Sequence, residues 1–160
     1  GPMVPFERLT ELEALGLEVG AHTHSHPELD TLGIDAARRE ITHGRDLLEM
    51  SLGHPVATFA YPHGYASTCL QSEVRRAGFH SACGVRHALS HPGDNVWLLA
   101  RLVMRPTTTC SQLQDWLDGY GAPLEARSER LLKKAWRAGR RVRALSFELW
   151  SSIAHEAGSL

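Results

Sequence analysis

His22-Thr23-His24-Ser25-His26 places three imidazoles at alternate positions within five residues. Neutral imidazole nitrogen is a good ligand for zinc and other divalent transition ions. In an extended backbone the three rings would share one face. In a turning loop the two that lie four residues apart, His22 and His26, can close on one ion. A surface loop of titrating histidines is the bland alternative for the same letters. Position favours the ligand reading. The cluster directly follows the apolar run Leu17-Glu18-Val19-Gly20-Ala21, and parallel α/β folds collect their ligands at the C-terminal ends of strands.

The elements around the cluster follow from hydrophobic period and turn residues. Residues 6–15 read as a short helix closed by Gly16, and residues 17–24 as a buried strand running into a polar loop. Residues 35–52 predict a helix with Ile34, Ala37, Ile41, Leu48 and Leu52 marking its apolar face and Gly53 ending it. Residues 55–62 form the next apolar strand, stopped by the turn His63-Gly64. A helix over 67–77 closes at Gly78, and strands are expected at 79–85 and 96–104 on either side of a Pro92-Gly93 loop. A short helix over 111–118 follows an N-cap region at Thr107–Thr109. The alternation of strand and helix predicts an α/β fold of parallel strands, a partial β/α barrel, followed by a long C-terminal helix.

Four segments are expected. Residues 1–5 are a lead, in which Gly1-Pro2-Met3 reads as a protease-cleavage remnant. Residues 6–118 form the α/β domain, residues 119–123 a Gly/Pro linker, and residues 124–160 a basic amphipathic helix. Residues 1–120 hold 9 Lys/Arg against 14 Asp/Glu, whereas residues 121–160 hold 8 against 4. The basic segment (Arg127, Arg130, Lys133, Lys134, Arg137, Arg140, Arg141, Arg143) is either the solvated face of a packed helix or a surface for an anionic membrane, an anionic glycan or a nucleic acid, the solvated face being the favoured reading.

Bulk composition narrows the class. The chain has 160 residues, is 42% hydrophobic and 22% charged, and carries a formal net charge of −1, so it reads as one globular domain with no overall pull toward nucleic acid. Cys69, Cys83 and Cys110 are widely spaced and odd in number, which predicts reduced thiols. The chain holds no apolar run of the ~18 residues a membrane span needs. With a native start at Met3, a cytoplasmic location is expected.

Two stretches resemble the polysaccharide deacetylase (NodB-homology, carbohydrate esterase 4) family. Gly20-Ala21-His22-Thr23-His24-Ser25-His26-Pro27 is similar to its second motif, His-Ser/Thr-x-x-x-His, and the resemblance implies that His22 and His26 bind a divalent metal, most naturally Zn. Phe59-Ala60-Tyr61-Pro62-His63-Gly64 resembles the third motif, which walls the active-site groove, and implies that the Tyr61 amide binds an oxyanion. Arg101, in Leu98-Leu99-Ala100-Arg101, resembles the arginine that orients the catalytic carboxylate. Leu89-Ser90-His91 fits the letters of the last motif, Leu-x-His, whose histidine is the general acid, although it precedes Arg101 rather than following it.

The family's first motif, Thr-Phe-Asp-Asp, supplies the catalytic base and the third metal ligand, and nothing in this sequence resembles it. The resemblance therefore implies a metal-dependent hydrolase of amide C–N bonds acting on an N-acetylated sugar or related amide, and it implies that the chain is truncated. A non-catalytic metal-binding or assembly module on the same scaffold is the alternative. Glu18, Glu28 and Asp30 are the local acids that could supply an oxygen ligand, Asp30 the best placed of them. An incomplete barrel leaves strand edges open, so a homodimer or a second chain completing it is expected as a partner. No nucleic-acid partner is expected, and contact of the basic helix with a membrane surface is a further reading.

Overall fold

The computed structural model describes residues 4–122 together with 135, 136, 138–143 and 146. Four parallel segments make its sheet. Strands β1 (Thr58–Ala60) and β2 (Ser81–Cys83) pair in register, with Phe59 opposite Ala82. Ala21 bridges to Phe59 on one side, and Leu99 bridges to Cys83 on the other, both parallel. The spatial order thus follows the chain order, as successive βα units wound in one direction require.

The strands are shorter than the sequence predicts. Chain breakers at both ends account for this. Thr23 turns the first segment out of the sheet at φ 68°, and Pro62 has no N–H to continue β1. The turn at Asn95, where Leu98 donates to the Asn95 carbonyl at 2.8 Å, limits the fourth segment to the ladder bonds around Leu99.

The helices form where the apolar period places them. Leu9–Ala14 is α1, Ile34–Leu52 is α2, Thr68–Arg76 is α3 and Cys110–Leu117 is α4. Helix α2 buries Ala37, Ile41, Gly44 and Leu52 and ends on left-handed Gly53 (φ 76°); Ile34, at its first position, is exposed instead. The Ser67 hydroxyl caps α3 by accepting from the Leu70 amide at 3.2 Å. A full capping box between Thr109 and Gln112 starts α4. Helices α2 and α3 pack on each other, and α3 packs on β2. The core between them is built from Ile41, Val56, Phe59, Leu70, Val74, Phe79 and Ala82. Among the described residues of the C-terminal segment, 135, 136, 138–143 and 146 are helical. The rest of the helix expected over 124–160 lies outside the described residues, as does the lead at 1–3.

Candidate metal centre

The loop after the first segment is shaped by hydrogen bonds that the sequence pattern does not announce. Thr23 and His26 both take positive φ, 68° and 60°, a conformation that costs non-glycine residues energy unless the surroundings impose it. Here they do. The Thr23 hydroxyl accepts from the His26 amide at 3.1 Å and so closes the turn. Glu40, on α2, accepts from the His24 amide at 3.1 Å, the Ser25 amide at 2.8 Å and the Ser25 hydroxyl at 2.8 Å. Burial works against ionisation of Glu40, but these hydrogen bonds outweigh it and hold the carboxyl below its ordinary range.

The turn brings the His22 and His26 ring centres to 4.8 Å, with planes at 67°. Two imidazoles on one tetrahedral ion, with metal–nitrogen bonds of about 2.0–2.1 Å, have ring centres roughly 5 Å apart. His22 Nδ1 lies 2.6 Å from the Ala60 carbonyl oxygen. That contact makes Nδ1 the protonated nitrogen and leaves Nε2 with its lone pair free, the orientation that supporting carbonyls give metal-binding histidines. Desolvation pulls the His22 pKa below 6.5; the Ala60 bond opposes this, and His26, Arg101 and His63 add to it. A neutral imidazole with a fixed tautomer fits a metal ligand. His24 points elsewhere. Its ring lies 4.2 Å from that of His43 on α2, beside a 370 Å³ surface hollow lined by both rings with Arg39, Glu40, Thr42 and Asp46.

A third histidine, in the turn that ends β1, lies against His26. The His63 ring centre is 4.9 Å from that of His26, and His63 stands at φ 55°. Its amide makes no hydrogen bond among the described residues.

The expectation for Tyr61 is corrected. Its amide donates to the Cys83 carbonyl at 3.0 Å and is spent in the sheet. Its side chain is fully buried, with the hydroxyl donating to the Trp97 carbonyl at 3.1 Å. Pro62 has no amide, so the first free backbone donor beyond β1 is His63. Arg101 donates from Nε to the Gly84 carbonyl at 2.9 Å, and its charge reaches His22. His91 is exposed in a turn where its amide donates to Asp94 Oδ2 at 3.0 Å. Its ring is not part of the contacts that link His22, His26 and His63.

Asp30 is also corrected as an oxygen ligand. Its carboxylate is fully buried and faces the C-terminal segment. Arg140 reaches Asp30 Oδ1 at 3.3 Å and Glu28 Oε1 at 2.5 Å, and Arg141 Nε donates to the Asp30 carbonyl at 3.2 Å. The Arg140 guanidinium also lies over Tyr65 and Trp136, 4.9 and 4.4 Å from their ring centres. These two arginines of the basic segment therefore serve as internal partners. As the side chains stand, no group of three His, Cys, Asp or Glu among the described residues is set to hold an ion.

Comparisons with known proteins bear on the fold. Residues 6–82 match the family model described as polysaccharide deacetylase. Among solved structures, the chain is similar to the Streptococcus pyogenes deacetylase PplD in complex with acetate, with a TM-score of 0.68 at 18% identity over 71% of this chain and 50% of that one. It is also similar to IcaB from Ammonifex degensii (TM-score 0.59, 24% identity, 71% and 53%) and to BC0361, a polysaccharide deacetylase from Bacillus cereus (0.59, 20%, 71% and 36%). The chain spans about half or less of the length of these structures. No curated protein matches it. The matched residues, the parallel sheet and the histidine loop at its C-terminal end agree: over residues 6–82 the chain matches the polysaccharide deacetylase family model, and its fold is similar to that of solved deacetylases.

Proposed function

We propose that this chain is the metal-binding part of an N-deacetylase-type hydrolase, acting on an N-acetylated sugar or related amide with Zn held by His22 and His26. The observation that carries the reading is the 4.8 Å ring spacing of a pair in which His22 Nδ1 is engaged by Ala60 and Nε2 is free. When bound, the ion would polarise the amide carbonyl and acidify a water. The chain's own residues supply the rest. His22 and His26 fix the ion's place, and the His63 amide is positioned to donate to an oxyanion. Arg101 helps keep His22 neutral. The reaction class also needs a carboxylate base, which the reading assigns to a second chain or a further part of the protein.

A second reading, a metal-binding module without hydrolysis, is favoured by one observation: Glu28 and Asp30, the two acids that closely follow the pair in sequence, are engaged by Arg140. One experiment separates the two. Metal content by elemental analysis is measured alongside acetate release from N-acetylglucosamine oligomers, for the wild type and for His22→Ala/His26→Ala. Bound zinc with histidine-dependent acetate release supports the hydrolase. Bound zinc without acetate release supports the module, and no metal removes both.

A further inference from the structure

We propose that Trp136, on the C-terminal segment, is a sugar-stacking residue, binding one pyranose ring of an N-acetylated oligosaccharide beside the histidine loop. The inference rests on the substrate class proposed above and goes beyond it by adding a subsite that needs no metal ion.

Three observations carry it. The first is exposure. Trp136 is 54% exposed although the Arg140 guanidinium lies over its ring, 4.4 Å from the centre. One face of the indole is thus covered, and the other is the one left open. Burying an apolar ring face of this size against a ligand is favourable. The second is fixation. Arg140 follows Trp136 by one helical turn and lies on the same side of the segment. Its own side chain is only 15% exposed and is paired with Glu28 at 2.5 Å and Asp30 at 3.3 Å. The same guanidinium lies over Tyr65, whose ring centre is 5.9 Å from that of Trp136 at 57°. The exposed indole is therefore tied, through Arg140, to the loop that follows His26. A ring already held in place loses little freedom when a ligand binds. The third is position. Tyr65 stacks on His63 at 6.1 Å and 24°, and His63 lies 4.9 Å from His26. With two rings between them, His26 and Trp136 are placed to meet successive units of one chain.

The chemistry of the surface selects a sugar. One face of a hexopyranose is a layer of C–H bonds polarised by the neighbouring oxygens. That layer packs on the electron-rich face of an indole, while the hydroxyls at its rim stay in water. The Glu28 carboxylate, partly exposed at the edge of the cluster, is an acceptor for such a hydroxyl.

The test is isothermal titration with the tetramer of N-acetylglucosamine, in the presence of a chelator. It compares wild type, Trp136→Ala, Trp136→Phe and Tyr120→Ala, each confirmed as folded by circular dichroism. Phenylalanine keeps an aromatic face, and Tyr120, 73% exposed, takes part in none of the ring contacts that lead to His26. The expected result is that Trp136→Ala binds at least about tenfold more weakly, equivalent to about 1.4 kcal/mol, that Trp136→Phe recovers part of the loss, and that Tyr120→Ala binds like wild type. A smaller loss in Trp136→Ala overturns the inference, as does an equal loss in Tyr120→Ala, no recovery in Trp136→Phe or no saturable binding by the wild type. Zinc content of the wild type and of His22→Ala/His26→Ala is measured separately. Its failure overturns the metal reading alone, because the titration contains no free metal.

Discussion

A Cβ built on Gly44 would stand 2.5 Å from the carbonyl carbon and oxygen of Thr23 and 2.8 Å from the His24 amide nitrogen. The middle of α2 therefore runs directly against the backbone of the histidine loop, and only glycine permits the approach. Glu40, one turn earlier on α2, fastens the same loop by its amides. The helix thus both supports and shapes the loop that carries His22 and His26.

The first prediction follows from that contact. Gly44→Ala should gain about 1 kcal/mol in helix propensity, yet the obstructing atoms are backbone and cannot swing aside. Overpacking of this kind costs about 1–3 kcal/mol. The expected outcome is a lower Tm, together with zinc affinity reduced at least about tenfold as the loop is displaced. A variant more stable than wild type would show that the helix and loop do not meet as described.

Much of this was legible in the sequence, for physical reasons. The helices were, because apolar period and terminal glycines such as Gly53 are local signals. The nearness of the His22 and His26 rings was, because their spacing is written along one loop. The strands were legible in place but not in length, since ladder pairing depends on neighbours far away in the chain. The role of Tyr61 was misread because a backbone amide's availability depends on its partner across the sheet, here Cys83. The nearness of His63 to His26 has no local signature for a related reason: it arises across 36 intervening positions. The place of His63 between Pro62 and Gly64 was the only hint, since such a turn can carry a residue out of the sheet.

A second prediction concerns the loop that follows His26. Arg140 clasps Glu28 and the buried Asp30. Arg140→Ala removes the charge-assisted bonds to both and leaves Asp30 with less compensation, although Arg141 remains beside it. The expected loss is about 1–3 kcal/mol, the cost of stripping a buried polar group of a partner. Lys at this position should recover only part of it, because an ammonium cannot span two carboxylates and two rings as the planar guanidinium does. Chemical denaturation of the three proteins reads both effects, and equal stability of Arg140→Ala and wild type would remove the clasp.

A third prediction concerns pH. Glu73, buried on α3, accepts from Arg38 Nε at 2.7 Å and is also paired with Arg76. The Arg38 bond leads the effects that hold its carboxyl below 4.5, outweighing desolvation. A depressed folded-state pKa means that the stability it contributes is fully present above 4.5 and is lost as pH falls through the lowered value. Glu73→Gln should therefore lower Tm at pH 7, and its deficit relative to wild type should shrink as the pH is taken well below 4.5. A deficit that stays constant over that range would mean that the charge of Glu73 is not what stabilises the α2–α3 contact.

The final prediction tests the metal pair through stability rather than turnover. An ion that binds the folded chain and not the unfolded one stabilises it by mass action, by about 2.7 kcal/mol at a free concentration 100 times Kd. For a domain of this size each kcal/mol raises Tm by roughly 2–4 °C, so saturating zinc should raise the wild-type Tm by roughly 5–10 °C. A chelator should reverse the rise. His22→Ala/His26→Ala should show none of it, while its Tm without metal should stay close to that of metal-free wild type, since both rings are exposed and neither belongs to the core. If zinc raises the double variant's Tm as much as the wild type's, the stabilising ion binds elsewhere, and the ring spacing of His22 and His26 is then a property of the loop alone.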